Sequence, residues 1–167
     1  NAASYGAALA AGQPIVAKLE PTLGDGLAVP QVGANAFAIA RQVVDRVVTV
    51  SEGSIALAIL RLIELSKGVV EGAGATPLAA LLSHQLPHLE GKRVVLALAG
   101  GNIDPAVLGR VIENGLVQDG RMARFRAVIS DRPGGLALLT QTIAATGASV
   151  KQIGHERAFA SPDVSKV

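Results

Sequence analysis

The stretch best suited to form a binding site is an apolar run that ends in two glycines. Residues 93–99 are mostly apolar, Gly100 and Gly101 follow, and Asp104 and Pro105 come next. Such a run is typical of a buried parallel strand, and glycine lets the backbone approach a bound group closely. Asp104 can cap a helix and Pro105 suits its first position, which would leave free N–H groups beside the glycines. The pattern predicts either a strand ending at a ligand pocket or an ordinary strand-to-helix turn.

Acidic residues beside glycines mark two further candidate positions. Glu71 ends a short apolar segment and is followed by Gly72 and Gly74. Its carboxylate is predicted either to face a pocket or to be a hydrogen-bonded structural group. Asp25 precedes Gly26, where it either positions a loop or stabilises a turn.

Histidine and cysteine form no recognisable metal-binding or catalytic motif. The chain has no cysteine, which excludes disulfides and thiolate metal sites and fits a cytoplasmic location. His84 and His88 flank Pro87, and no nearby residue completes a metal site or a catalytic triad. We therefore expect no metal site built on these residues.

The composition predicts a core of small aliphatic residues. The 167 residues are 50% hydrophobic but only 2% aromatic, as in parallel sheets covered by helices. The net charge is +2, without a basic cluster interleaved with aromatics, which argues against nucleic-acid binding. There is no apolar run of about eighteen residues, so no membrane span is expected. The start at Asn1 leads us to expect an internal piece of a longer polypeptide.

Helical and strand patterns alternate along most of the chain. Helices are predicted at residues 2–11, 34–45, 51–65, 74–85 and 105–116. Strands are predicted at residues 46–50, 69–71 and 93–99. Alternation at this spacing implies parallel pairing with right-handed crossovers. We expect an α/β domain over residues 1–118, a parallel sheet flanked by helices.

A second, smaller unit is predicted over residues 119–167. Asn114-Gly115 and Asp119-Gly120 mark the boundary. The pattern then predicts a strand at 121–130, a helix at 134–146, a strand at 149–159 and a trailing tail from Ser161. One βαβ is too small to bury its own face, so we expect an incomplete α+β unit.

Four segments, in this order and at these spacings, resemble threonine dehydratases. These are threonine/serine ammonia-lyases among the fold-type II pyridoxal-phosphate (PLP) enzymes, a group that includes serine racemase. The resemblance covers residues 1 to about 118. The segments are 24–29 (GDGLAV), 44–52 (VDRVVTVSE), 69–75 (VVEGAGA) and 100–104 (GGNID).

The resemblance implies a lyase that converts L-threonine or L-serine into a 2-oxo acid and ammonia with pyridoxal 5'-phosphate. In the family, the cofactor lysine and a glycine-rich phosphate cup lie upstream of the segments found here. This chain is therefore expected to supply one wall of the site, to need the missing N-terminal part and to be inactive alone. The resemblance assigns cofactor binding to Gly26, Glu71, Ala99, Gly100 and Asn102.

Ala99 departs from the family pattern. The family usually has Ser or Cys there, facing the pyridine nitrogen, and alanine offers no such contact. Water or a backbone group could substitute, activity could be reduced, or the residue could have been changed on purpose. Residues 1–4 lack the second acidic ligand of the family's divalent-cation site, so no metal is expected there.

The loop between the predicted strand 121–130 and the predicted helix 134–146 is similar to an effector loop of ACT domains. The resemblance implies an ACT-like regulatory unit in a homo-oligomer, with an amino-acid effector held by backbone N–H groups. A plain helix-capping loop is the alternative. The loop residues concerned are Asp131, Pro133, Gly134 and Gly135.

Two further functions remain open. The first is a serine racemase or a dehydratase for another β-hydroxy amino acid. The second is a regulatory homologue that has lost catalysis, which would fit the absence of Ser or Cys at Ala99.

Overall fold

The computed structural model describes residues 1–156 and 164–166, in two compact units, Asn1–Met122 and Ala123–Val167. All six predicted helices are confirmed, with ends shifted by a few residues. None of the helices in the described part is long and apolar enough to cross a membrane. The helices are α1 (Ser4–Ala11), α2 (Ala34–Val43), α3 (Glu52–Arg61), α4 (Gly72–Leu82), α5 (Pro105–Gln118) and α6 (Gly135–Ala145).

Two helix starts follow the capping pattern in the sequence. The Ser51 hydroxyl accepts a hydrogen bond from the Ser54 N–H at 3.1 Å, which begins α3. The Asp104 carboxylate accepts from the N–H groups of Ala106 and Val107 at 2.8 and 3.1 Å, which begins α5. These side chains satisfy N–H groups that lack a partner within the helix, so the predicted Asp104 cap and the predicted start of a helix at residue 51 are confirmed.

The core of the first unit lies where α3 packs against α4 and α5. Ile59 and Val111 are its largest fully buried side chains. Gly115 on α5 lies so close to the Ala56 carbonyl oxygen that an added Cβ would be only 2.8 Å from it. Small residues therefore let these helices approach closely. The buried cluster consists of Ile55, Ala56, Ala58, Ile59, Leu62, Ala75, Ala79 and Val111.

The helix α3 ends in a wider turn. Leu62–Ser66 is π-helical, and Lys67 ends it with a left-handed backbone at φ 55°. Within this turn Glu64 faces Arg61, with 2.9 Å between its Oε2 and the Arg61 Nη1. The predicted end of this helix at residue 65 is thus confirmed to within one residue.

The predicted parallel sheet is not confirmed in the described part of the chain. Residues 46–50, 69–71 and 93–99 are neither helical nor paired as strands there. An apolar run can indicate extended backbone, but a strand also needs a neighbour that accepts and donates its hydrogen bonds. Val95 is 95% exposed, which shows that its segment has no covering layer in this structure.

The second unit contains a two-stranded antiparallel sheet and α6. Its strands are β1 (Val128–Ser130) and β2 (Val164–Lys166), with Ile129 opposite Ser165. Only the last three residues of the predicted strand 121–130 are paired. Residues 149–155 form no strand, and residues 157–159 of that prediction lie outside the described part. The predicted tail instead supplies β2, because the pairing partner and not the local pattern decides which segment becomes a strand.

Candidate functional site

Three segments meet at the N-terminal end of α4: the loops 23–26 and 99–102, and residues 71–74, which are Glu71 and the first turn of α4. In chain order we call them the first, second and third loops, and the surface that they form the three-loop wall. The Glu71 N–H donates to the Gly100 carbonyl oxygen at 3.1 Å, and the Asn102 N–H donates to the Glu71 carboxylate at 3.0 Å. These two bonds join the second and third loops.

Glycines allow the loops of the wall to touch through their backbones. A Cβ on Gly72 would collide with the Leu23 carbonyl, and one on Gly74 with the Ala99 carbonyl. Gly100 has φ +87°, and a Cβ there would collide with the Glu71 carboxylate. A side chain at Gly72 or Gly74 would push the loops apart, and one at Gly100 would strain the backbone and displace the Glu71 carboxylate, so the wall depends on glycine.

Gly26 lies at the edge of the same surface. A Cβ built on it would be 3.2 Å from the Ala73 Cβ and 3.7 Å from the Glu71 Oε1. Its N–H donates to the carboxylate of the preceding Asp25 at 2.8 Å, and residues 25–27 form a 3₁₀ turn. Asp25 thus has the geometry of a residue that stabilises this turn.

The structure brings the predicted cofactor-binding residues together on an open face. Gly26, Glu71, Gly100 and Asn102 are joined by the contacts described above, and Ala99 reaches Gly74 through its carbonyl group. Ala99, Gly100 and Asn102 are exposed, whereas Glu71 is half-buried. Besides Asp25, which binds its own turn, the wall therefore presents backbone edges, the Ala99 methyl group and the Glu71 carboxylate.

Sequence reasoning missed a second carboxylate behind the wall. Glu52, in the first turn of α3, accepts hydrogen bonds from the Thr22 hydroxyl at 2.7 Å and the Leu23 N–H at 2.6 Å. The sequence indicated Glu52 only as part of the predicted helix 51–65 and of the segment 44–52 that carries the resemblance. The partners are about 30 residues away along the chain, a separation at which no local pattern identifies them.

Lysine is not part of the three-loop wall. Lys18 pairs with Glu20 at 3.7 Å, and the Lys67 ammonium donates to the Glu64 carbonyl at 2.6 Å. Among residues 1–156 and 164–166, no three His, Cys, Asp or Glu side chains lie close enough together to hold a metal ion. His88 instead lies beside Arg46, with 3.4 Å between the Nδ1 and Nη1 atoms.

A network of four charges joins the C-terminal ends of α3 and α5. Arg61 contacts both Glu64 and Asp119, and Arg121 contacts the same two carboxylates. Hydrogen bonding by Arg121 is the main factor that lowers the pKa of Glu64, while the bond to Glu64 is the main factor that raises the pKa of Arg61. The wall lies instead at the N-terminal end of α4, so these charges stabilise a helix junction.

The predicted effector loop lies in the second unit, before α6. Gly134 has φ +95°, and a Cβ on Gly135 would collide with the Ser130 carbonyl. The Gly135 N–H donates to the Arg132 carbonyl at 3.1 Å. This amide is therefore engaged within the loop. Asp131 is half-buried, whereas Pro133 and Gly134 are exposed.

Residues 1–100 match the pyridoxal-phosphate dependent enzyme family. That segment includes all of the first two loops of the wall and the start of the third. The match covers more than half of the chain, and the chain therefore belongs to this family.

The curated relatives are threonine ammonia-lyases. The L-threonine ammonia-lyase of Geobacter sulfurreducens is 47% identical over 145 residues, which cover 87% of this chain and 36% of the relative. The L-threonine ammonia-lyase of Thermotoga maritima is 42% identical over 138 residues, which cover 83% of this chain and 34% of the relative. The chain thus spans about a third of the length of these relatives. The 145 aligned residues outnumber those of the first unit, so part of the second unit is aligned as well.

A solved structure shares the fold of most of the chain. The processed form of threonine deaminase isoform 2 from Solanum lycopersicum superposes with a TM-score of 0.63 at 28% identity, over 68% of this chain and 33% of that one. The resemblance to threonine dehydratases is thereby confirmed. The likeness of the second unit to an ACT domain stays a prediction.

Proposed function

We propose that this chain forms one wall of the cofactor site of a PLP-dependent threonine or serine ammonia-lyase, which yields a 2-oxo acid and ammonia. The observation that carries the proposal is the three-loop wall, all of which except residues 101 and 102 lies in the segment that matches the PLP family. The names of the two bacterial relatives support threonine as the substrate. The lysine that binds the cofactor and the phosphate cup belong, in this proposal, to polypeptide outside these 167 residues.

The exposed residues of the wall are suited to a flat aromatic cofactor. Gly26 and Gly100 are exposed and carry no side chain, so backbone at these two positions can lie directly against a ring. One Glu71 oxygen accepts from the Asn102 N–H, and the other lies toward Gly26 and Gly100. Glu71 therefore both holds the third loop in place and brings a carboxylate to the ring or the substrate.

Bound PLP supplies an electron sink for the charge left when the substrate loses its α-proton. The chain contributes orientation and electrostatics. Ala99 presents only a methyl group, so this residue gives the ring nitrogen no side-chain hydrogen bond, and water or a backbone group could substitute.

The test uses the complete enzyme that contains this chain. After addition of PLP, we expect the visible absorbance of bound cofactor and, with L-threonine, formation of a 2-oxo acid. Cofactor binding with racemisation of serine as the main reaction would favour a racemase. No cofactor binding at all would contradict the proposal and favour the regulatory homologue.

We propose in addition that the second unit is an ACT-like regulatory unit whose loop at Asp131, Pro133, Gly134 and Gly135 holds an amino-acid effector. The support is the left-handed Gly134 before α6 and the close contact of Gly135 with the Ser130 carbonyl, which together shape a tight loop. Calorimetric titration of the complete enzyme with individual amino acids tests this. Binding that Gly134→Ala abolishes is the expected result, and no binding of any amino acid outside the catalytic site would contradict it.

A further inference from the structure

Glu52 links the most buried helix of the first unit to the first loop of the wall. It lies in the first turn of α3, where the helix dipole favours a carboxylate. Its two oxygens accept separately, Oε1 from the Thr22 hydroxyl and Oε2 from the Leu23 N–H. Hydrogen bonds to a charged acceptor are among the stronger ones in proteins, so this contact fixes the loop firmly.

The contact continues from Thr22 and Leu23 to the wall itself. The Thr22 hydroxyl, which donates to Glu52, also accepts from the Gly24 N–H at 3.1 Å. The Leu23 carbonyl packs on Gly72, the residue directly after Glu71. Gly24 is buried, and its carbonyl accepts from the Leu27 N–H at 2.9 Å, which closes the turn that carries Gly26.

We propose that Glu52 is a positioning residue for the cofactor site. Through Thr22 and Leu23 it holds residues 22–26 against the N-terminal end of α4. It thereby fixes the position of Gly26 relative to the other two loops of the wall. It does this without touching the cofactor. The effect on the cofactor rests on the proposed function, whereas the effect on the loop does not.

The rigidity of α3 makes this role possible. Five of its ten residues are buried, and it packs against both α4 and α5. A loop attached to such a helix moves only if the hydrogen bonds to Glu52 break. Glu52→Gln keeps the size of the side chain but removes the charge, and Glu52→Asp keeps the charge but shortens the side chain.

The test compares these two variants with Glu90→Gln, which removes an exposed charge after the 3₁₀ turn Pro87–Leu89. Hydrogen exchange by mass spectrometry is measured on the cofactor-free complete enzyme, for peptides covering residues 22–27. We expect Glu52→Gln to speed exchange there by roughly tenfold, as for the loss of a charge-assisted hydrogen bond, with Glu52→Asp intermediate and Glu90→Gln unchanged. Peptides from α5 should exchange as in the wild type.

The second readout is cofactor affinity. Glu52→Gln should weaken PLP binding by roughly tenfold, while kcat at saturating PLP changes less than about twofold, because the residue does not act in the chemical step. Equal exchange in wild type and Glu52→Gln, or faster exchange throughout α5 as well, would overturn the positioning role. Faster loop exchange in a complete enzyme that never binds PLP would support the loop contact but overturn the proposed function and the effect on affinity.

Discussion

Small residues have opposite effects in the core between α3 and α5 and in the three-loop wall. In the core, Ala56 and Gly115 let two helices close on each other, and the surfaces that they bring together are buried. In the wall, the buried Gly74 lies against the Ala99 carbonyl and Gly100 lies against the Glu71 carboxylate, but Ala99 and Gly100 themselves remain exposed. Close backbone packing therefore does not by itself indicate a core. A closely packed backbone that remains exposed is what a binding surface requires.

The largest loss of stability is expected from a substitution in the core. Ile59→Ala should lower the free energy of unfolding by about 2–5 kcal/mol, because it leaves a cavity at a fully buried position. Leu65→Ala, in the π-helical turn after α3 with 78% exposure, should change it by less than about 0.5 kcal/mol. Urea unfolding of the 167-residue chain measures both. Similar losses in the two variants would show that this core is not packed as described.

Gly74→Ala is expected to have the next largest effect. Its Cβ would collide with the Ala99 carbonyl, so we expect a loss of about 1–3 kcal/mol in unfolding free energy together with weaker PLP binding by the complete enzyme. The control is Gly109→Ala in α5, where no atom lies within 4 Å of the new Cβ and stability should rise by about 0.5–1 kcal/mol. If Gly74→Ala were tolerated as well as Gly109→Ala, the contact between the second and third loops would be refuted.

Glu71→Gln should separate binding from folding. The variant keeps the shape but weakens the bond from the Asn102 N–H, so turnover should change more than the melting temperature. A change of about 1 kcal/mol or less in unfolding free energy is expected. Comparison with Glu90→Gln gives the effect of removing one exposed charge. A lower melting temperature with unchanged turnover would show that Glu71 is structural.

Ala99→Ser restores the side chain that the family usually has. We expect lyase activity to be maintained or to rise by a factor of a few, since a neutral hydrogen bond contributes about 0.5–1.5 kcal/mol. Steady-state kinetics with L-threonine measures this in the complete enzyme. A clear drop in activity would contradict the placement of residue 99 beside the ring.

The charge network should have the smallest effect, and one that depends on pH. Because the pKa of Glu64 is lowered in the folded state, its contribution to stability is present above the ordinary value of 4.5 and is lost as the pH falls through the lowered pKa. Glu64→Gln should therefore destabilise the chain at neutral pH and less in acid, and added salt should reduce the difference. Thermal unfolding across this pH range would contradict the assignment if the difference were the same at every pH.

The sequence predicted the helices well and the strands poorly, for one physical reason. A helix makes its hydrogen bonds within one segment, so capping at Ser51 and Asp104 and apolar spacing suffice to locate it. A strand depends on a partner, and neither residues 93–99 nor β2 could be assigned correctly without one. The same reason explains which parts of the candidate site could be predicted. Glu71 and Gly100 were recognisable from a resemblance, whereas the contact from Glu52 to Leu23 arises only in the folded chain.

The most direct test of the central claim is hydrogen exchange of the complete enzyme with and without PLP. We predict that the cofactor slows exchange in residues 23–26, 71–74 and 99–102 together, while residues 87–92 exchange at the same rate in both states. Bound cofactor without slower exchange in those three loops would show that the three-loop wall is not part of the cofactor site.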